Sequence, residues 1–300
     1  MARLSVREMI DRLIATPSVS AVDPALDMGN AAMIDTLATW LEDEGFAVEL
    51  LPVAESKKKA NLIATRGRGP GGLVLSGHTD TVPYHQSGLD HSGLDHSGWD
   101  HSGWDHSGWT SDPFTATERD GELYGLGTTD MKSFLALAIE ASRAFDDADL
   151  SEPLILLATA DEESGMDGAR ALVDAGRPKA RRAIIGEPTG LRPIRLHKGC
   201  GMERLELVGR TGHSSDPAHG ASALEGMHAA IGALLAARDS LSHLRREELT
   251  PPHSTINLGR IEGGDNPNRI CGRCVLTYDL RLVPGLDPEE VRAAIRRGVA

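Results

Sequence analysis

The chain has 300 residues, 40% hydrophobic and 25% charged, the make-up of an ordinary globular protein of about two domains, which excludes fibrous, disordered and disulfide-framework classes. Lys+Arg total 31 against 44 Asp+Glu, a formal net charge of −13 that repels nucleic-acid phosphates and favours metal ions or cationic ligands. No apolar run approaches the ~18 residues of a membrane span, the first dozen positions carry acidic residues where a signal peptide is apolar, and the three cysteines fit thiols of a reducing compartment; the sequence therefore predicts a cytoplasmic protein with neither nucleic acid nor membrane as partner.

Ser5-Val6-Arg7-Glu8 is a capping box ahead of Met9, Ile10, Leu13 and Ile14 and predicts a first helix. Met33, Ile34, Leu37, Trp40 and Leu41 recur at steps of three and four and predict a second over 29–44, ending at Gly45. Short apolar runs at 48–53, 61–65, 73–75, 154–158 and 183–185, with helical stretches between some of them, predict an α/β domain on a mostly parallel, buried sheet.

Between Ser87 and Trp109 a Ser-Gly-Leu/Trp motif recurs five times at a five-residue step, mostly as Asp-His-Ser-Gly-Trp, and contributes His91, His96, His101 and His106. A period of five matches neither a helix face nor a strand face. The segment reads as a loop lengthened by repeat slippage, since doubling a loop costs only about 0.6 kcal/mol; a weak metal-collecting tract is the functional alternative.

Chemistry-bearing residues sit where apolar strands end. Leu73–Gly77 runs into His78-Thr79-Asp80, Leu154–Ala158 into Asp161-Glu162-Glu163, and Ala183–Gly186 into Glu187, while Asp130 precedes a helix that begins near Met131. In an open parallel sheet the carboxyl ends of the strands form the ligand crevice, so these groups are expected to converge. Taken singly, Asp130 reads as a helix N-cap, Asp80 as turn chemistry and Glu162-Glu163 as solvated charge. Together, one imidazole and several carboxylates without cysteine suit zinc, cobalt or manganese, and a shared carboxylate suits a pair of metal ions.

These segments resemble the co-catalytic zinc aminoacylases, deacetylases, desuccinylases and carboxypeptidases. The likeness lies in Ser76–Pro83, Trp109–Phe114, Gly125–Lys132, Thr159–Glu163 and Gly186–Thr189. His197–Gly199, Gly212–Pro217 and Asn268–Cys271 look most like the acetylornithine deacetylase branch. The resemblance implies a hydrolase of N-acyl amino acids that removes the acetyl group of N2-acetylornithine in arginine biosynthesis, with related N-acyl-amino-acid hydrolysis or a catalytically impaired relative as alternatives. It implies two zinc ions per subunit, replaceable by cobalt: His78, Asp130 and Glu187 hold one, and Asp130 and Glu163 belong to the other. It also implies Glu162 as general base and Asp80 as the residue orienting His78.

From about residue 190 the pattern becomes strand, helix, strand, strand, helix: Met202–Val208, an amphipathic helix through Leu224 and Leu241, Thr255–Ile261, Ile270–Val283, and a helix capped by Asp287-Pro288. This is a ferredoxin-like unit short of its last strand. The expected domains are thus 1–189, a catalytic metal-binding α/β domain with the repeat insert at 87–109, and 190–300, an incomplete lid through which the resemblance implies a homodimer. It also implies that His213, Asn268 and Arg281 reach the substrate, although Arg281 shares a strand face with Asp279 and an internal ion pair competes. Cys271 and Cys274, placed on opposite faces by strand periodicity, read as structural thiols. The helix before Ala300 has an apolar face that still needs its sheet, and the resemblance implies a further segment carrying a last metal-binding histidine, without which the second zinc set is incomplete. Because the repeat adds no core pattern, deleting residues 90–104 is expected to leave the circular dichroism spectrum and the stoichiometry of tightly bound metal unchanged; loss of bound metal would make the histidines of the repeat ligands.

Overall fold

A computed structural model describes residues 3–21, 24–53, 58–84, 109 and 111–299. Except for Trp109, the repeat insert lies outside the described residues. The chain divides into two compact units, Met1–Leu191 and Arg192–Ala300.

The first unit begins as its caps dictate. In α1 (Val6–Ile14) the Glu8 amide donates to the Ser5 hydroxyl and the Ser5 amide donates back to the Glu8 carboxylate. Helix α2 (Ala31–Asp43) runs to Glu44, and Gly45 takes φ +83, left-handed backbone that glycine adopts without a Cβ clash. The strands β1 (Ala47–Pro52), β2 (Ala60–Arg66), β3 (Leu73–His78), β6 (Leu154–Thr159) and β7 (Arg182–Ile185) form one sheet in the order β1-β2-β6-β3-β7. A short hairpin, β4 (Thr117–Arg119) with β5 (Glu122–Tyr124), and α3 (Lys132–Ser142) lie between β3 and β6 in sequence, and α4 (Asp167–Ala175) follows β6.

The sheet is mixed, which corrects the expectation of a mostly parallel one. β3 pairs parallel with both β6 and β7, whereas β1 with β2 and β2 with β6 are antiparallel. The connection from β1 to β2 is too short for the crossover that a parallel pair needs. Alternation along the strands divides the apolar side chains between two cores. Leu62, Ala64, Leu154, Leu156 and Ala158 pack with α1, α2 and α3, while Ile63, Val74, Ile155 and Leu157 pack with Leu172 of α4 on the other face.

The second unit is β8 (Gly199–Val208), α5 (Ala223–Leu241), β9 (Thr255–Gly263), β10 (Arg273–Leu282) and α6 (Pro288–Val299), with an antiparallel sheet ordered β8-β10-β9. This is the split βαββα arrangement of the sequence pattern. On β10 every second residue from Cys274 to Leu282 faces a core shared with Met227 and Leu234 of α5 and Val291 and Ile295 of α6.

The capping box at the head of α1 sets a first expectation. Ser5→Ala removes the acceptor for the Glu8 amide and is expected to cost about 1 kcal/mol, read as a lower urea midpoint at unchanged m-value.

Candidate metal centre and active site

Since β3, β6 and β7 run parallel, their carboxyl ends lie along one edge of the sheet, and each delivers its acid or imidazole there. His78 is the last residue of β3 and is buried. Glu162 and Glu163 leave the turn after β6, and Glu187 follows β7. Asp130 sits two residues ahead of α3, beyond Gly127, whose φ of +91 makes the turn and where a Cβ would lie 2.9 Å from the Lys132 side chain. The N-cap of α3 is Met131, and Asp130 instead turns its carboxylate to His78.

His78 Nε2 lies 3.0 Å from Asp130 Oδ1, 3.8 Å from Glu187 Oε1 and 3.9 Å from Glu162 Oε2. Donor atoms of His78, Asp130 and Glu163 all fall within 4.8 Å of one another. On the other side of the ring, Nδ1 donates to the backbone carbonyl of Asp80 at 3.0 Å, which fixes the tautomer and leaves Nε2 to face the carboxylates. The Asp80 carboxylate is 3.7 Å from Nδ1. It instead accepts the Glu163 amide through Oδ2 at 3.0 Å, so it orders the turn carrying the two glutamates, while Oδ1 is buried without a hydrogen-bond partner.

The electrostatics of this cluster are one-sided. Burial, and then the neighbouring Asp130 charge, push Glu163 up to about 7. Burial likewise raises Glu162 and Glu187, and it raises Asp80 against the pull of the Glu163 amide. Burial alone would depress the His78 imidazolium, but the charges of Asp80, Glu162, Glu187 and Asp130 together hold its pKa above the ordinary histidine value. An imidazole nitrogen and several desolvated carboxylates aimed at one point fit a divalent cation, whose charge would relieve the repulsion. Sequence reading assigned no role to Lys132, which begins α3 two residues after Asp130. Fully buried, it donates to the carbonyls of Leu13 and Thr16 at 3.3 and 2.8 Å, and burial lowers its pKa to about 8. Its only signal was a lysine beginning an otherwise apolar helix.

A cavity of about 690 Å3 opens beside Asp130 and Glu163, lined also by Val82, Trp109, Leu123 and Tyr124. Its size falls within the range of small-molecule sites.

His213, Asn268 and Arg281 belong to the second unit. His213 and Asn268 line a common cavity of about 310 Å3, and the Ser214 amide donates to the Asn268 carbonyl at 3.0 Å. The Ser215 amide donates to His213 Nδ1 at 3.2 Å, which makes Nε2 the protonated nitrogen of the neutral ring. Arg281 Nε donates to both oxygens of Asp279 at 2.9 Å, so the internal ion pair is formed. Cys271 and Cys274 do not take opposite faces. β10 starts only at Arg273, so strand alternation does not reach Cys271, and both thiols are buried in the same core while Cys200 is exposed.

Comparison with known proteins agrees with this architecture. Residues 74–232 match the model of peptidase family M20/M25/M40, and residues 195–299 match a peptidase dimerisation domain. The chain belongs to peptidase family M20/M25/M40, a family of metal-dependent hydrolases. Among solved structures, an M20 family metallo-carboxypeptidase from Sulfolobus solfataricus superposes with a TM-score of 0.72 at 19% identity, over 99% of this chain and 75% of its own. The aminopeptidase PepT from Bacillus cereus gives 0.62 at 21% identity, over 99% and 72%. A dinuclear metal-binding M20 peptidase from Bacillus subtilis gives 0.57 at 16% identity, over 98% and 68%. At these identities the likeness is one of fold. Among the described residues, no helix is long and apolar enough to cross a membrane.

The thiols provide a check on the second unit. With one exposed and two buried in the core, a thiol reagent is expected to label Cys200 rapidly in the native protein and Cys271 and Cys274 only on unfolding. Rapid labelling of all three would show that the α5–β10 core is open.

Proposed function

We propose that this chain is a metal-dependent amide hydrolase that releases acetate from N2-acetylornithine in arginine biosynthesis, acting as a homodimer through its second unit. The observation that supports hydrolysis is the convergence of His78, Asp130, Glu162, Glu163 and Glu187 at the carboxyl edge of β3, β6 and β7. The choice of acetylornithine rests on the motifs at 197–199, 212–217 and 268–271.

In this reading His78, Asp130 and Glu187 hold one divalent cation, zinc or cobalt, and Asp130 and Glu163 contribute to holding a second. When bound, the cations supply Lewis acidity toward the scissile carbonyl and lower the pKa of water. Glu162 is within 3.9 Å of His78 Nε2 and is half-exposed at 37%, so it can meet both solvent and substrate. Its carboxylate takes the proton of the attacking water and passes it to the departing amine nitrogen, and the products are a carboxylate and a free amine. Asp80 serves this step by gripping the Glu163 amide. His213, with its Nε2 protonated, is suited to donate to the developing oxyanion, and Asn268 lies beside it. A substrate carboxylate reaching Arg281 would compete with Asp279 for the guanidinium.

A specific observation leaves room for a second reading within the same reaction class. The 690 Å3 cavity beside Asp130 and Glu163, with Trp109 and Tyr124 in its wall, falls in the range that holds a whole small-molecule substrate, and it admits a larger acyl group or a dipeptide as well as acetylornithine.

Turnover of acetylornithine, succinyl-diaminopimelate and a set of dipeptides by the zinc- and cobalt-loaded protein separates these readings. The substrate with the highest kcat/KM names the class, and no turnover of any of them would refute hydrolysis. Glu162→Gln is expected to leave bound metal unchanged while lowering kcat by ~10²–10⁴. Loss of metal in that variant would make Glu162 a ligand. Saturating zinc is expected to raise the Tm of the wild-type chain, by about 2.7 kcal/mol of stabilisation at a hundredfold excess over Kd, and to do so much less in Asp130→Ala.

A further inference from the structure

The turn that carries Glu162 and Glu163 starts from a residue in left-handed backbone. Asp161 is buried at 4% exposure with φ +59, left-handed backbone that is uncommon outside glycine and that aspartate and asparagine tolerate best. Its carbonyl accepts the Met166 amide at 2.5 Å and closes the turn around the two glutamates.

What constrains Asp161 lies outside the metal cluster. Lys59, the residue before β2, donates to Asp161 Oδ1 at 2.6 Å and to Asp27 Oδ1 at 2.7 Å, with only 9% of its side chain exposed. The Ser20 hydroxyl, also buried, donates to the same Asp161 oxygen at 2.8 Å and meets the Ser164 hydroxyl at 2.5 Å. Ser20 is itself tied to the His78 loop. Its amide donates to the Thr81 carbonyl, the Thr81 amide donates to Ser18, and the Ser18 hydroxyl donates to the Thr79 carbonyl. The segment 18–20, Lys59 and Asp161 therefore form a brace between the loop carrying His78 and Asp80 and the loop carrying Glu162 and Glu163. A further tie between those loops is the Glu163 amide on Asp80.

We propose that Lys59 and Ser20 are positioning residues: through Asp161 they fix the backbone from which Glu162 and Glu163 reach the site. Neither touches the ligand cluster. A buried carboxylate that loses its lysine is left as an uncompensated charge, so the turn relaxes toward solvent and carries both glutamates with it. Errors of about 1 Å at such groups are enough to lower turnover without abolishing substrate binding. The consequence for turnover rests on the hydrolase reading above, whereas the consequence for the turn does not.

The test separates the two. The double variant Lys59→Met/Asp161→Asn removes the Lys59–Asp161 charge pair, leaves Asp27 without its ammonium at 26% exposure, and keeps a residue that tolerates left-handed backbone, so its Tm is expected to fall by no more than a few degrees. Amide hydrogen exchange at Glu163 and Met166 is expected to quicken by about tenfold or more, while the amides of β2 and β6 keep their protection. In the metal-loaded protein, kcat on the best substrate is expected to fall by about tenfold or more, with KM changed by less than about threefold, and Lys59→Arg is expected to restore most of it. Exchange at Glu163 and Met166 equal to the wild type would overturn the proposal whatever the activity. Faster exchange in a protein whose wild type turns over no substrate would sustain the brace and refute the hydrolase reading. Should the double variant not fold, Ser20→Ala, which deletes a single donor, carries the same measurement: faster exchange at the two amides supports the brace, and unchanged exchange overturns it.

Discussion

The first unit depends on bringing like charges together. Asp80, Asp130, Glu162, Glu163 and Glu187 surround one imidazole at the end of a sheet whose faces are both packed, and burial raises the proton affinity of most of them. Left to itself, such an arrangement repels and opens. The fold resists in two ways. Parallel pairing of β3 with β6 and β7 fixes where the three strands end, and hydrogen bonds from backbone amides and from Ser20 and Lys59 occupy the carboxylates that face inward. Among the described residues, the carboxylates that face the crevice meet the single imidazole of His78 in place of such donors, and this is where a divalent cation fits.

This division explains why neighbours in sequence behave so differently. Asp161, Glu162 and Glu163 are consecutive carboxylates, yet Asp161 is consumed by the scaffold, Glu163 is pushed up to about 7, and Glu162 keeps a third of its side chain in solvent. The left-handed backbone at Asp161 turns the chain so that the first side chain points inward and the next two point toward the crevice. A right-handed or extended residue there would send the sequence elsewhere with the same composition.

Much of this was legible in the sequence, because the signals were local. The capping box of α1, the apolar runs of the sheet and the change of period after residue 190 each depend on near neighbours, and the rule that ligands gather at the carboxyl ends of parallel strands led from those runs to His78, Glu162, Glu163 and Glu187. What was missed depends on pairing between distant segments. Nothing in the run at 48–53 says that β1 and β2 join the sheet antiparallel. The burial of Cys271 follows from where β10 begins, which the alternation of its apolar residues left open. Lys59 and Lys132 have ordinary sequence surroundings and become distinctive only because the fold buries their ammonium groups against Asp161 and against the end of α1. Arg281 is a middle case, since the strand period placed Asp279 on its face and left the outcome to the side chains.

The Lys132 amine has a consequence for the beginning of the chain. It donates to the carbonyls of Leu13, in the last turn of α1, and of Thr16, just past its end, and it does so from a position two residues beyond Asp130. Residues 13–16 thereby anchor the head of α3. A change that loosens the end of α1 takes away the acceptors of this buried ammonium, two residues along the chain from Asp130. The order of the first helix and the order of the segment that carries Asp130 are in that sense one property.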